Sequence, residues 1–338
     1  MIDQPRATIA TVIALYRGCE TIDETIASVR AQSLQPDELI LIDDGSGDAT
    51  LETALRATDG AAFTVRSITQ ENGGQSAARN AGVALTQCDF IALLDQDDLW
   101  HRDHLRLLLE TAQKRDDIGW TYSDFNQIDR DGRMVIRNFR RFTDSPQANR
   151  SLHEILSHDV FALPSASLIR REAFAAAGGF DPRLRGYEDD DLFMRIFSAG
   201  WTSAYLREAL VDYRRHDGGS SGDRTFWRSR VIFYTAMRDA YADNGVDGRD
   251  VIDDILRPRL VASTKRDYAR ALRKNQFDDA RDITNTFEGL FPDGRVGVRR
   301  KAALALLRHP RLARRVLLLW QQTPGLRRWL SPELRLRS

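Results

Sequence analysis

Cysteine is nearly absent: Cys19 and Cys88 are the only two among 338 residues. They offer no metal-ligand spacing and no disulfide framework, which fits a reducing cytosol. No uncharged stretch reaches the roughly 18 residues needed to span a bilayer. The opening MIDQPRATIA lacks a charged segment followed by an apolar run, so no signal peptide is expected. No Gly-x-Gly-x-x-Gly follows the first apolar strand and no Gly-Lys-Ser/Thr occurs, which argues against dinucleotide and P-loop sites. Internal repeats and low-complexity runs are also missing. Net charge is zero, with 49 Lys and Arg against 49 Asp and Glu.

That balance is uneven along the chain. Residues 295–338 hold twelve Arg or Lys against one acid, Glu333, so the rest is acidic by the same margin. Such asymmetry points to a tail with an anionic partner. In the tail, Leu312, Val316, Leu319 and Trp320 can share a helical face opposite Arg311, Arg314 and Arg315. This suits an anionic membrane surface, and equally a helical cap packed on the rest of the chain. Aromatics spaced for base stacking are lacking, so nucleic acid is not the expected partner.

Strand-like and helix-like patterns alternate over the first half. Strands are expected at residues 7–15, 38–43, 63–69 and 90–94. Helices are expected from Thr21, with Glu24 completing a capping box, from about Asp48, and over 75–85. Repeated βα units of this length imply an α/β fold with a mostly parallel sheet flanked by helices. Residues 126–149 read as an irregular or antiparallel excursion. A helix near 152–157, a strand at 167–169 and a helix over 171–177, closed by Gly178-Gly179, restore the rhythm. From about Phe226 the pattern is almost wholly helical. The expected division is residues 1–222 as an α/β domain and 223–338 as a helical region with a basic amphipathic tail.

The most informative segment is FIALLDQDDLW, residues 90–100. An apolar run ends in Asp95-Gln96-Asp97-Asp98 where a buried parallel strand leaves the sheet, the usual ligand-binding edge. Hard oxygen ligands on a short loop suit Mg²⁺ or Mn²⁺, with positions left for phosphate oxygens. Acids also enrich the first turn of a helix, which is the plainer account. A second strand ends in IDDGSGD, residues 42–48, where Asp44 can accept from a base N–H or a ribose hydroxyl, or simply cap a helix. In ENGGQSAARNAG, residues 71–82, Gly73 and Gly74 would let backbone amides approach an anion, and Arg79 lies one turn inside the helix. GYEDDDLFMRI, residues 186–196, opens a helix with four consecutive acids. Capping explains one or two of them, and repulsion should raise at least one pKa above about 3.9, as a general base needs. His216 stands in YRRHDGGSS; His101 and His104 lack a third ligand and read as structural.

In this order the motifs resemble those of family 2 glycosyltransferases, which have the GT-A nucleotide-diphospho-sugar transferase fold. The likeness covers residues 8–221. By that resemblance Tyr16 and Asp44 would contact the nucleotide base, and Gly74 and Arg79 would lie along the diphosphate. Asp95 and Asp97 match the D-x-D pair, with Asp97 as metal ligand, and His216 fits a further ligand contributed late in the chain. Asp189 matches the family's catalytic base, supported by Glu188. Two departures stand out: Ala14-Leu15 replace a proline and a small hydroxyl residue before Tyr16, and Arg17 stands where Asn is common. No Gln-x-x-Arg-Trp follows Asp189, as in processive polymerases.

The expected activity is an inverting, metal-dependent, non-processive sugar transfer from a nucleotide-diphospho-sugar, a UDP-sugar foremost. The acceptor would be a glycan, a lipid-linked glycan or a protein in surface polysaccharide synthesis, at the cytoplasmic membrane face. Residues 217–223 would form a glycine-serine lid. A haloacid-dehalogenase phosphatase would also place D-x-D-D after a strand, but it needs a lysine between its acidic motifs. Lys114 alone is available there, and the IDDGS and NGG motifs would go unexplained. A catalytically inactive binding module should have lost an acid from one motif, and none is lost.

Overall fold

The computed structural model describes residues 6–142, 156, 162–215, 226–241, 245–246, 249–290 and 308–315. Contacts divide the chain into two compact units, Met1–Ser229 and Arg230–Ser338.

The first unit is built on a nine-stranded mixed sheet with helices against it, in the order β3-β2-β1-β4-β8-β6-β9-β5, with β7 paired to β6. Its parallel half follows from the βα rhythm: β1 (Ile9–Leu15), α1 (Ile22–Arg30), β2 (Glu38–Asp43), α2 (Thr50–Ala57), β3 (Thr64–Thr69), α3 (Gln75–Ala84) and β4 (Phe90–Leu93). β1, β2 and β4 are short apolar runs buried on both faces, as central parallel strands must be. β3 is mostly exposed and forms one edge. Because β1, β2 and β4 run parallel, Tyr16, Asp44 and Asp95 leave the sheet at one edge.

The other half comprises β5 (Leu99–Trp100), α4 (His104–Ala112), β6 (Ile118–Ile128), β7 (Met134–Ile136), β8 (Ser167–Arg170), α5 (Arg171–Ala176), α6 (Glu188–Ser198) and β9 (Thr202–Arg214). β8 joins β4 and β6 antiparallel, β9 runs parallel to β6, and β5 closes the far edge antiparallel to β9. This brings Arg214, at the end of β9, under the Asp95–Asp98 loop.

Some local expectations change and others hold. Thr21 precedes α1 as expected, but its hydroxyl makes no cap bond; it donates to the Gln96 carbonyl at 3.0 Å, so tertiary contact wins over the capping box. β6 extends to Ile128 and β7 pairs back on it, so the 126–149 excursion begins with the antiparallel alternative that was expected. Leu99 and Trp100 form a short strand before α4. Gly178 and Gly179 take positive φ and end α5, with Gly179 N–H donating to the Phe174 carbonyl. Gly82 has a packing role: a Cβ there would overlap the Val12 side chain, so glycine lets α3 lie close on β1 and β2.

The second unit is mainly helical, with α8 (Arg257–Arg273) and α9 (Phe277–Leu290) preceded by a π-helical turn, Val251–Leu256. A two-stranded hairpin, β10 (Gly245–Val246) with β11 (Arg249–Asp250), interrupts the helical pattern. Its interior pairs Arg230 with Asp267, both buried, and stacks Arg259 on Phe233. Helix α7 (Phe226–Tyr241) starts in the first unit and continues into the second. No helix among the described residues is long and apolar enough to cross a membrane. In the tail only residues 308–315 are described: Arg311 stacks over Phe277, and Leu312 is half exposed.

Candidate active site

Arg79 sits at the centre of the sheet edge. α3 carries it into a nearly solvent-free position, where its guanidinium meets Asp95 Oδ1 at 2.6 Å and Glu188 Oε1 at 3.2 Å. Phe180 packs under the guanidinium. Burial opposes its charge, yet Asp95 and Glu188 outweigh that and raise its pKa further. Arg79, expected along a diphosphate, has both terminal nitrogens engaged here and is the counter-ion joining the two acidic motifs. Gln75 also donates to Asp95 Oδ1, at 2.8 Å.

The glycine turn is likewise closed by partners within the chain. Gly73 and Gly74 N–H donate to the two oxygens of the Asp44 carboxylate at 2.8 Å each, and Gln70 adds a third bond. The Asp44 side chain is therefore buried as the organiser of that turn, with protein donors where base or ribose donors were expected. The Gly73 and Gly74 amides are thus already bonded to a carboxylate of this chain. Gly74, at φ 87, supplies the left-handed geometry that lets the turn enter α3.

The four acids of α6 are used differently from one another. Tyr187, left-handed at φ 68, precedes the helix. Asp191 pairs with Arg195, which also reaches the Ala177 carbonyl at the end of α5. Glu188 faces Arg79. Asp189 has its carboxyl pushed well above the usual range, first by burial, then by Glu188 and Asp190, with Arg79 pulling the other way. Repulsion alone was expected; desolvation is the larger cause.

The Asp95–Asp98 loop is held from below. Arg214, almost fully buried, donates its backbone N–H to Asp98 Oδ1 at 2.9 Å and its Nε to the Asp97 carbonyl at 2.9 Å. The same side chain binds the Arg130 carbonyl and Glu24. Asp98 is wholly buried, and burial together with Asp97 and Asp95 raises its carboxyl well above the ordinary value. Tyr213, beside it on β9, is raised first by burial and then by Asp98, Asp95, Asp97 and Asp189. The Asp95–Asp98 loop and the α6 acids meet through Arg79, which pairs with both Asp95 and Glu188.

Sequence reasoning overlooked Arg214 and Tyr213, and gave Gln96 and Asp98 no role beyond membership of the acidic segment. Arg214 lay in plain view in YRRH, but a buried arginine cannot be told from a surface one without its partners. His216 and residues 217–223 lie outside the described residues. His101 pairs with Asp212 Oδ1 at 2.9 Å, and His104 stacks on Trp100, so both are structural as expected.

Oxygen donors of this hardness fit Mg²⁺ or Mn²⁺, and Asp97 is only partly buried at the edge of the sheet. No group of three His, Cys, Asp or Glu among the described residues is arranged as a cage. Mg²⁺ commonly binds through one or two carboxylates plus substrate phosphates, so the donor set suits that mode.

The mixed sheet with its acidic C-terminal edge defines a GT-A glycosyltransferase fold. The fold matches that of S. aureus TarS 1–349 in complex with UDP-GlcNAc, with a TM-score of 0.64 at 15% identity, covering 91% of this chain and 89% of that one. Residues 11–177 match the profile of Glycosyl transferase family 2, and through them the chain belongs to that family of transferase enzymes. It is 25% identical over 250 residues to the amylovoran biosynthesis glycosyltransferase AmsB of Erwinia amylovora, covering 69% of this chain and 81% of that protein. It is also 25% identical over 289 residues to glycosyltransferase GlyG of Streptococcus pneumoniae, covering 81% and 92% respectively.

Proposed function

We propose that this enzyme transfers one sugar per encounter from a nucleotide-diphospho-sugar to an acceptor hydroxyl, with inversion, in the synthesis of a surface polysaccharide. The observation that carries this reading is the Asp95–Arg79–Glu188 bridge, which ties the donor-side acidic loop to the turn bearing Asp189. A single displacement needs a leaving-group site and a base on opposite sides of one anomeric carbon, and this bridge fixes their spacing. The elevated pKa of Asp189 suits a base that takes the acceptor proton. Asp97, with His216, would hold the divalent cation, which when bound supplies Lewis-acid stabilisation of the departing diphosphate. Tyr16, exposed at the end of β1, would stack on the base.

TarS was crystallised with UDP-GlcNAc, and AmsB is named for amylovoran biosynthesis; both support a nucleotide-sugar donor and a glycan acceptor here. The working place would be the cytoplasmic membrane face, with the basic tail on anionic lipid. The test is a panel of nucleotide-sugars assayed for Mg²⁺- or Mn²⁺-dependent donor hydrolysis and for calorimetric binding. At least one UDP-sugar should bind with the cation and only weakly with chelator. Full affinity in chelator would remove the cation from the reading, and no binding of any nucleotide-sugar would remove the donor class.

A further inference from the structure

Gln96, the middle residue of Asp95-Gln96-Asp97, is bonded on every side. Its side-chain oxygen accepts the Tyr16 N–H at 2.8 Å, and its side-chain nitrogen donates to the Tyr16 carbonyl at 2.9 Å. Its own carbonyl accepts the hydroxyls of Thr21 and Thr25, each at 3.0 Å. A Cβ on Gly18 would overlap its amide group, so glycine there leaves room for it.

The loop it grips is strained. Arg17 holds φ 52, a left-handed conformation in which Asn is several-fold enriched and a long side chain is costly. Such conformations persist where surrounding bonds over-determine them. Here Arg17 N–H donates to Ser46 Oγ, Gly18 N–H donates to Thr50 Oγ1, and Gln96 takes both backbone polar groups of Tyr16. Arg17 then lies over the Tyr16 ring, 5.1 Å from its centre, fixing one face of that exposed aromatic.

We propose that Gln96 is the positioning residue that sets nucleobase selectivity, by holding the Tyr16–Gly18 loop in register with the acidic loop that takes the diphosphate. This rests on the donor reading given above. Any glutamine-like reach could touch a loop; pairing with both the N–H and the C=O of one residue spans the two peptides that flank it and fixes their height and tilt. Gln96→Glu keeps the size and the acceptor but loses the donor to the Tyr16 carbonyl. Gly18→Ala leaves Gln96 intact but displaces its amide.

The experiment is calorimetry with Mn²⁺ on the full chain, using the diphosphates of uridine, cytidine, adenosine and guanosine, and inorganic pyrophosphate. The wild type should prefer one base. In Gln96→Ala, Gln96→Glu and Gly18→Ala the preferred nucleotide should weaken about tenfold and the ratio between bases should collapse towards one. Pyrophosphate affinity should stay unchanged in the two uncharged variants, Gln96→Ala and Gly18→Ala. Retained base ratios in these variants, or an equal loss for pyrophosphate in the two uncharged ones, would overturn the proposal while leaving the donor reading standing. A folded wild type that binds no nucleoside diphosphate would overturn both.

Discussion

Asp189 shows what one residue owes to its setting. Burial and two neighbouring acids raise its pKa, while Arg79 limits the rise. A base works only when deprotonated, so turnover should climb with pH through a value above the ordinary carboxylate range of about 3.9. Asp189→Asn should lower transfer by roughly 10²–10⁴-fold and leave nucleotide affinity intact, whereas Asp97→Asn should lose nucleotide binding. Equal loss of binding in both would merge the two roles. His104 makes a separate, structural prediction. Burial against Trp100 pushes its imidazole from 6.5 down to about 3, with the Leu210 backbone and the His101 charge as smaller influences. The unfolded chain protonates below about 6.5 and the folded chain does not, so this contribution is whole above that pH and lost as pH falls towards 3. At about 1.4 kcal/mol per unit, the penalty near pH 5 is about 2 kcal/mol. His104→Phe should therefore show a flatter urea-midpoint profile between pH 8 and pH 5 than the wild type.

At the scale of elements, the start of α7 shapes the turn before α6. Gly186 at φ 108 and Tyr187 at φ 68 are both left-handed. The Phe226 ring lies where a Gly186 Cβ would be and meets the Tyr187 ring edge-on at 5.5 Å. Ser229 Oγ accepts the Arg185 N–H at 2.8 Å. A domain ending at residue 222, as the motifs alone implied, would lack both supports. Phe226→Ala should lower kcat by about tenfold or more, since small misplacement of a catalytic group is costly, while nucleotide affinity stays unchanged. A matching loss of nucleotide affinity would place Phe226 in general stability rather than in holding this turn.

For the whole molecule, the basic tail is the open question of attachment. Each cation near an anionic leaflet contributes roughly 1 kcal/mol, so an excess of eleven over residues 295–338 is ample for docking. Leu312 is half exposed, as a membrane face requires, yet Arg311 lies on Phe277, as a packed cap requires. Deleting residues 295–338 should abolish co-sedimentation with anionic vesicles and spare slow donor hydrolysis, because the residues assigned to chemistry precede residue 223. Equal partitioning of both proteins, or loss of folding on deletion, would assign the tail to packing.

The βα order, the strands ending in Asp44 and Asp95 and the helix opening at Glu188 were legible in the sequence, because period, apolar runs and glycine positions are local properties. So was the family, since its motifs stand in order along the chain. What each charged group faces was not legible. Arg79 between Asp95 and Glu188, Asp44 inside the glycine turn and Arg214 beneath the acidic loop are pairings across 16, 109, 30 and 117 positions. Thr21 left its capping box for Gln96 for the same reason. A charge or hydroxyl is directed by whichever partner the sheet order brings within hydrogen-bonding distance, and that order is decided only when the long-range strands pair.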